Sequence, residues 1–245
     1  MDFWIVAGLA AFILGISKGG MPVMAILSVP LLSLYMDPAL AAGLLLPLYH
    51  VADVYAVHLF RRSFSWANLR ILLPAGAVGV AFGYLAISYI SGDPVRLLLA
   101  GIGLAYVSTT WRNRLRGLVA PPRPVEASRG VVLGALAGLT SYIAHAGGPP
   151  YQAYILPQRL EKMRYLGTTT IFFASVNLMK LPAFIAAGQI TSDSLQSVLW
   201  LAPFAVAGAW SGSRISRWLP QHVFFLLVEI ALLLVSVKLL WDVFT

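Results

Sequence analysis

Gly19-Gly20 followed by Pro22 recurs 128 residues later as Gly147-Gly148 followed by Pro150, and this chain reads as one apolar unit written twice. His50 and Asp53 stand opposite Asn177 and Lys180 at an offset of 127, and Ser65 opposite Ser192. Gly79 and Gly83 stand opposite Gly208 and Gly212 at an offset of 129. The loop charges do not repeat; they change sides. Arg61, Arg62 and Arg70 follow one apolar segment, whereas its counterpart is followed by the nearly uncharged Gly188-Gln189-Ile190-Thr191-Ser192-Asp193. Conversely, Met36-Asp37-Pro38 corresponds to a segment holding Arg159, Lys162 and Arg164. Lys and Arg collect in cytoplasmic loops, so copies with opposite loop charge are inserted in opposite senses. The expected fold is an all-α polytopic membrane protein of two inverted-topology repeats, 1–111 and 130–245, joined by a Pro/Arg-rich cytoplasmic linker over 112–129.

Composition supports a membrane solvent. The chain is 59% hydrophobic and only 11% charged, against about 25% charged in a soluble domain. Apolar runs recur along its whole length, with no polar stretch long enough for a separate soluble domain. A transmembrane barrel would instead show short alternating segments. The first apolar segment has neither a basic flank nor a small-residue cleavage site, so it is not read as a removable signal peptide. The net charge of +8 does not call for a nucleic-acid partner, because the basic residues lie in short loops beside apolar segments. With no cysteine, disulfide and thiolate chemistry are excluded.

A full crossing needs about 20 apolar residues. Residues 39–60, 69–90, 95–111, 167–187, 195–213 and 223–244 suit it. Two regions do not. Phe3–Ile16 and Val23–Met36 are separated by Ser17-Lys18-Gly19-Gly20-Met21-Pro22; Gly130–Ala144 and Tyr151–Pro157 are separated by His145-Ala146-Gly147-Gly148-Pro149-Pro150. Each pair is predicted to be a re-entrant hairpin, broken near membrane depth. One hairpin plus three crossings brings a repeat out on the side opposite its start, as the charges require. Both termini are then outside, with Trp66, Trp111 and Trp218 near the inner interface and Trp4, Trp200 and Trp241 near the outer one. Pro121, Pro122 and Pro124 keep the linker extended, as a hinge or as a basic patch for lipid headgroups.

Lys18 is the sharpest candidate. An ammonium at bilayer depth is costly unless it is paired, snorkels or faces water. Beside it, Gly19 and Gly20 let the backbone turn and bare N–H groups, and the half-helix that follows points its partially positive start at the same place. The second break repeats this design with His145, Gly147 and Gly148. Two inverted breaks meeting near the midplane would bind a small anion through amides, an ammonium and an imidazole. Tyr151, Gln152 and Asn177 are further substrate candidates. The plainer readings are a snorkelling lysine, glycines that permit close packing, and a structural histidine hydrogen bond.

His50, Asp53, Lys180 and Glu229 are the candidates for gating or proton coupling. The spacing of three puts His50 with Asp53, and Asn177 with Lys180, on one helix face each. Asp53 and Lys180 are expected to approach and neutralise each other, either as a gate or as a buried pair that docks the halves. Glu229 has no charged counterpart in the first repeat, so it is read either as a proton carrier or as a neutral acid bonding a neighbouring helix. The Gly79/Gly83 and Gly208/Gly212 pairs are read as helix contact faces. Thr168-Thr169-Thr170 carries a weak suggestion of a cavity lining. No HExxH, GxSxG or GxxxxGK[ST] motif occurs, and no metal or cofactor is expected.

Gly15-Ile-Ser-Lys-Gly-Gly-Met-Pro22, Val29-Pro-Leu-Leu32 and Ala41-Ala-Gly-Leu-Leu-Leu-Pro47 resemble the first repeat of the TauE/SafE family. Ala144-His-Ala-Gly-Gly-Pro-Pro150 and Tyr154-Ile-Leu-Pro157 resemble its second. A triple-glycine run common in the family is reduced here to Gly19-Gly20 and Gly147-Gly148. The resemblance implies a proton-coupled exporter of sulfite or a small organosulfonate such as sulfoacetate, in a bacterial cytoplasmic membrane. It implies an anion site at the paired breaks, with protons, membrane lipids and a second copy in a homodimer as partners. A passive anion channel, a membrane-embedded enzyme and an accessory subunit are the competing classes.

Overall fold

The computed structural model describes residues 3–21, 24–36, 38–86, 92–118, 121–144, 146–186, 188, 190 and 192–244. Among these residues every regular element is a helix. In order they are α1 (Phe3–Lys18), α2 (Ala25–Leu32), α3 (Pro38–Phe60), α4 (Trp66–Ala86) and α5 (Gly92–Leu115). Then come α6 (Ala127–Ala144), α7 (Gly148–Ile155), a 3₁₀ turn (Leu156–Gln158), α8 (Lys162–Ala186), α9 (Ser192–Trp218) and α10 (Gln221–Phe244). In an apolar solvent a chain must satisfy its own backbone polar groups, which a helix does within a single segment.

Four helices are long and apolar enough to cross a membrane: α3 over Gly43–Phe60, α4, α8 and α10. Helices α5 and α9 have the length, 24 and 27 residues, but not the apolarity of those four. Ser108-Thr109-Thr110 dilutes the first, and Ser211, Ser213 and Arg214 dilute the second. Short helices flank both breaks, with bounds that differ from the predicted ones. Helix α1 runs on to Lys18, α2 stops at Leu32, and α7 begins at Gly148. Pro149 and Pro150 thus belong to the first turn of α7 rather than to the breaker. Proline fits there because the first N–H groups of a helix have no intrahelical partner to lose.

The chain forms two compact units, and neither coincides with a half of the sequence. The first comprises Met1–Phe64 and Thr169–Val228; the second comprises Ser65–Thr168 and Glu229–Thr245. In the first, α1 packs on α2, α3 and α9, and α3 also packs on α9. Its core is small and aliphatic: Ala7, Ala10, Ala11 and Leu14 of α1 meet Leu44, Leu45 and Leu48 of α3 and Leu201 and Ala205 of α9. In the second, α4 packs on α6, and α7 packs on α5 and α6. In each unit, then, a helix before a break packs on a helix from the other half of the sequence.

Glycine makes both pairings close. A Cβ on Gly15 or Gly19 would overlap the carbonyl oxygen of Ala205 or Ala209. One on Gly208 or Gly212 would overlap the carbonyl of Phe12 or Ile16. In the second unit a Cβ on Gly79 would overlap the Ala135 carbonyl, and one on Gly138 that of Gly76. Backbones in contact gain dispersion and Cα–H···O attraction, which replace the hydrophobic drive that lipid cannot supply. The predicted contact faces at Gly79, Gly83, Gly208 and Gly212 are present. Gly15, Gly19 and Gly138 complete them.

A buried amide network fixes the start of α4. Asn68 and Gln158 exchange side-chain bonds of 2.9 and 3.1 Å, Asn68 also donates to Ser65 Oγ, and the Ser65 N–H donates to Thr168 Oγ1 at 2.9 Å. Thr168, read as a cavity residue, is wholly buried and holds this corner closed. The linker is tied back as well, with the Arg123 N–H donating to the Pro157 carbonyl at 3.0 Å.

Candidate functional site

The first break is built by a helix cap. At the end of α1, Gly20 takes φ 115°, a conformation that favours glycine. The Met21 N–H returns to the Ile16 carbonyl at 3.3 Å and the Gly20 N–H to that of Ser17 at 3.4 Å, the paired bonds of a Schellman cap. The Gly19 N–H continues the helix onto Gly15 at 2.9 Å, and the Gly19 carbonyl accepts from Ser216 Oγ. These glycines were expected to bare their amides to a ligand. Instead the cap uses the amides, and Gly19 serves close packing on α9. Among the described residues of this break, Lys18 is the side-chain donor that remains.

Capping leaves Lys18 at the last helical position of α1, where its charge also suits the negative end of the helix. Its Nζ lies 2.8 Å from Asp53 Oδ1 and 4.7 Å from the Tyr49 ring centroid. The Asp53 contact falls short of hydrogen-bond alignment, so it is a Coulombic pair more than a directional bond. The other oxygen, Asp53 Oδ2, accepts from Asn177 Nδ2 at 2.8 Å. Lys180, one turn beyond Asn177 on α8, is wholly buried and feels the charges of both Lys18 and Asp53.

Asp53 was expected to pair with Lys180. Lys180 lies close enough for the two charges to interact, and Lys18, from a helix ending 35 residues earlier, makes an ion pair with the same carboxylate. The site therefore gathers two lysines about one aspartate. Lys18 keeps 14% side-chain exposure and Asp53 6%, so Lys18 is the less enclosed member of the pair.

His50 shares the α3 face that carries Tyr49 and Asp53. Its Nδ1 is 2.8 Å from the Leu46 carbonyl. A carbonyl only accepts, so Nδ1 carries the proton and Nε2 is left as an acceptor in the neutral ring. Nε2 is buried and has no hydrogen-bond partner among the described residues.

The second break differs in its chemistry. His145 lies outside the described residues. Gly147 caps α7, and the Tyr151 N–H reaches its carbonyl at 3.4 Å. Pro149 and Pro150 have no N–H, which halves the donors a helix start would offer. A side chain at Gly148 would meet nothing within 4 Å, so Gly148 borders open space rather than a packed helix. Tyr151 is wholly buried, and Gln152 is nearly so, with an Oε1 that has no partner among the described residues.

Glu229 bonds a neighbouring helix, one of the two roles expected of it. Its Oε1 accepts from Arg114 Nη2 at 2.9 Å and its Oε2 from Trp111 Nε1 at 2.9 Å. With a guanidinium and an indole each donating to one of its oxygens, Glu229 pins α10 to the end of α5. Trp111, expected as an interfacial anchor, is thereby a structural donor. Glu229→Gln is expected to cost about 1.5–3 kcal/mol, the worth of a charged hydrogen bond, read as a lower unfolding temperature in detergent. The pH profile of transport should not move; a displaced profile would restore Glu229 as a proton carrier.

Asn68 and Gln158 escaped sequence reasoning altogether. Each is a neutral amide at the edge of an apolar segment, and only the pairing of the two marked them.

Four apolar helices of crossing length and an ionic cluster buried among helices define a multi-pass membrane protein. The chain belongs to the sulfite exporter TauE/SafE family, which it matches over residues 4–239. That is a family of membrane transporters of sulfite and organosulfonates and not of enzymes. Comparisons with curated proteins and with solved structures returned no match.

Proposed function

We propose that the chain is a secondary transporter that exports a small sulfur-containing anion, sulfite or a short sulfonate such as sulfoacetate, in exchange steps linked to protons. The observation that carries this is Lys18, paired with Asp53 at the first break and within range of the buried Lys180. In the low-dielectric interior a small anion needs a cation beside it, and Lys18 supplies one at the first break. The ammonium of Lys18 would then exchange Asp53 for the anion.

That exchange links anion to proton. Asp53 and the anion compete for Lys18, so a proton on Asp53 releases the ammonium and strengthens anion binding. His50 Nε2, one turn away on the same helix face, is the acceptor placed to hand that proton on. Gly147, Gly148, Tyr151, Gln152 and His145 make the second break a further candidate for contacting substrate. Alternating access follows from the repeats at 1–111 and 130–245, with both short-helix pairs as re-entrant hairpins and α5 and α9 as crossings. The charge bias puts the 112–129 linker in the cytoplasm and both termini outside.

A passive anion channel is the second reading, favoured by the open space beside Gly148. Proteoliposomes separate the two. Trans sulfite should accelerate uptake of labelled sulfite, and His50→Gln should flatten the pH dependence of net flux while leaving that counterflow in place. Flux without counterflow, indifferent to a pH gradient, would establish a channel.

A further inference from the structure

The α4–α6 pair carries an outward groove that the transport site does not use. Gly76, Gly79 and Gly138 hold the two helices together near their middles. Toward their first turns they leave a cleft of about 370 Å³, lined by Arg70, Pro74 and Val78 of α4 and by Ala127, Val131 and Ala135 of α6, among others. Arg70 is the one charged residue in a lining otherwise apolar, and it makes no ion pair among the described residues.

Trp66, Arg70, Pro74, Val78 and Phe82 recur every four residues and form a stripe that winds around α4 by about 40° at each step, with Arg70, Pro74 and Val78 in the groove. All five are exposed. From Arg70 to Phe82 the helix rises about 18 Å at 1.5 Å per residue. Half of a hydrocarbon core is about 15 Å. The stripe thus has an aromatic ring, then a cation, then an apolar track as long as one leaflet.

We propose that this groove binds an anionic phospholipid. Its phosphate lies on the Arg70 guanidinium, Trp66 stands at headgroup level, and one acyl chain follows Pro74, Val78 and Val131 toward Phe82. A free oxyanion would find one cation and no further polar group on the walls. A zwitterionic headgroup would find no carboxylate in the lining for its own cation. The match is to a lipid with net negative charge. It does not depend on the transport reading, since the groove is built wholly within the second unit, whereas Lys18 and Asp53 belong to the first.

The test uses the full chain in detergent with phosphatidylglycerol or phosphatidylcholine of identical acyl chains, read by native mass spectrometry and thermal unfolding. Phosphatidylglycerol should be retained in preference and should raise the unfolding temperature. Arg70→Gln should weaken that retention about five-fold, the effect of one cation near an anionic lipid surface. Arg116→Gln, an exposed charge outside the groove, should leave it alone. Val131→Trp fills the cleft without touching the charge and should also reduce retention, which covers the case of an Arg70 variant that folds poorly. Equal retention by Arg70→Gln, equal retention of phosphatidylcholine, or protection by inorganic phosphate alone would each overturn the proposal.

Discussion

Lys18→Ala should lower sulfite counterflow at least a hundred-fold, whereas Asp53→Asn should keep counterflow and lose its dependence on pH. A hundred-fold loss is about 2.7 kcal/mol, within the range of one hydrogen bond to a charged group. The opposite behaviour of the two partners is the informative part. Asparagine at position 53 imitates a protonated aspartate that has released Lys18, so exchange continues without needing a proton. Removing Lys18 also leaves the Asp53 carboxylate buried beside Asn177 without the Lys18 ammonium. Breaking a buried pair from one side costs about 3–5 kcal/mol, so poor folding could imitate lost transport. The double variant Lys18→Met, Asp53→Asn removes both charges and should fold. If it also exchanged sulfite at the wild-type rate, Lys18 would be a structural tie and the proposed anion site would be lost.

Gly208→Ala and Gly138→Ala should be among the most damaging single-methyl additions at the described glycines. Each new Cβ would overlap a carbonyl oxygen of the facing helix, that of Phe12 or that of Gly76. A backbone oxygen cannot rotate away as a side chain can, so the helices must part along their contact and give up dispersion over several residues. Overpacking costs about 1–3 kcal/mol where side chains can shift, and here the upper end or beyond applies. Gly101→Ala is the control. Its Cβ would meet nothing within 4 Å, and it should gain about 0.8–1 kcal/mol of helix propensity. Unfolding temperatures in one detergent compare all three. A Gly208→Ala protein as stable as Gly101→Ala would mean the α1–α9 contact is looser than described.

What could be read along the chain was what local chemistry decides. Apolar length gave the helices, and Gly19-Gly20 and Gly147-Gly148 marked the two breaks to within a few residues. Glycine spacing gave the contact faces at Gly79/Gly83 and Gly208/Gly212. Position 20 was legible as a turn, yet its amide could not be assigned, because a cap bond and a ligand bond ask for the same residue.

The sequence by itself determined that this chain must be helical, where those helices break and which residues are too polar for lipid. Only the tertiary structure decided whom those polar residues meet. Lys18 finds Asp53 on α3, and Glu229 finds Trp111 and Arg114 on α5. Helix α1 packs on α9 and α6 on α4, crossing between the halves of the sequence. Periodicity and turn chemistry act over a few residues, whereas a buried charge is stabilised by whichever helix face packing brings to it.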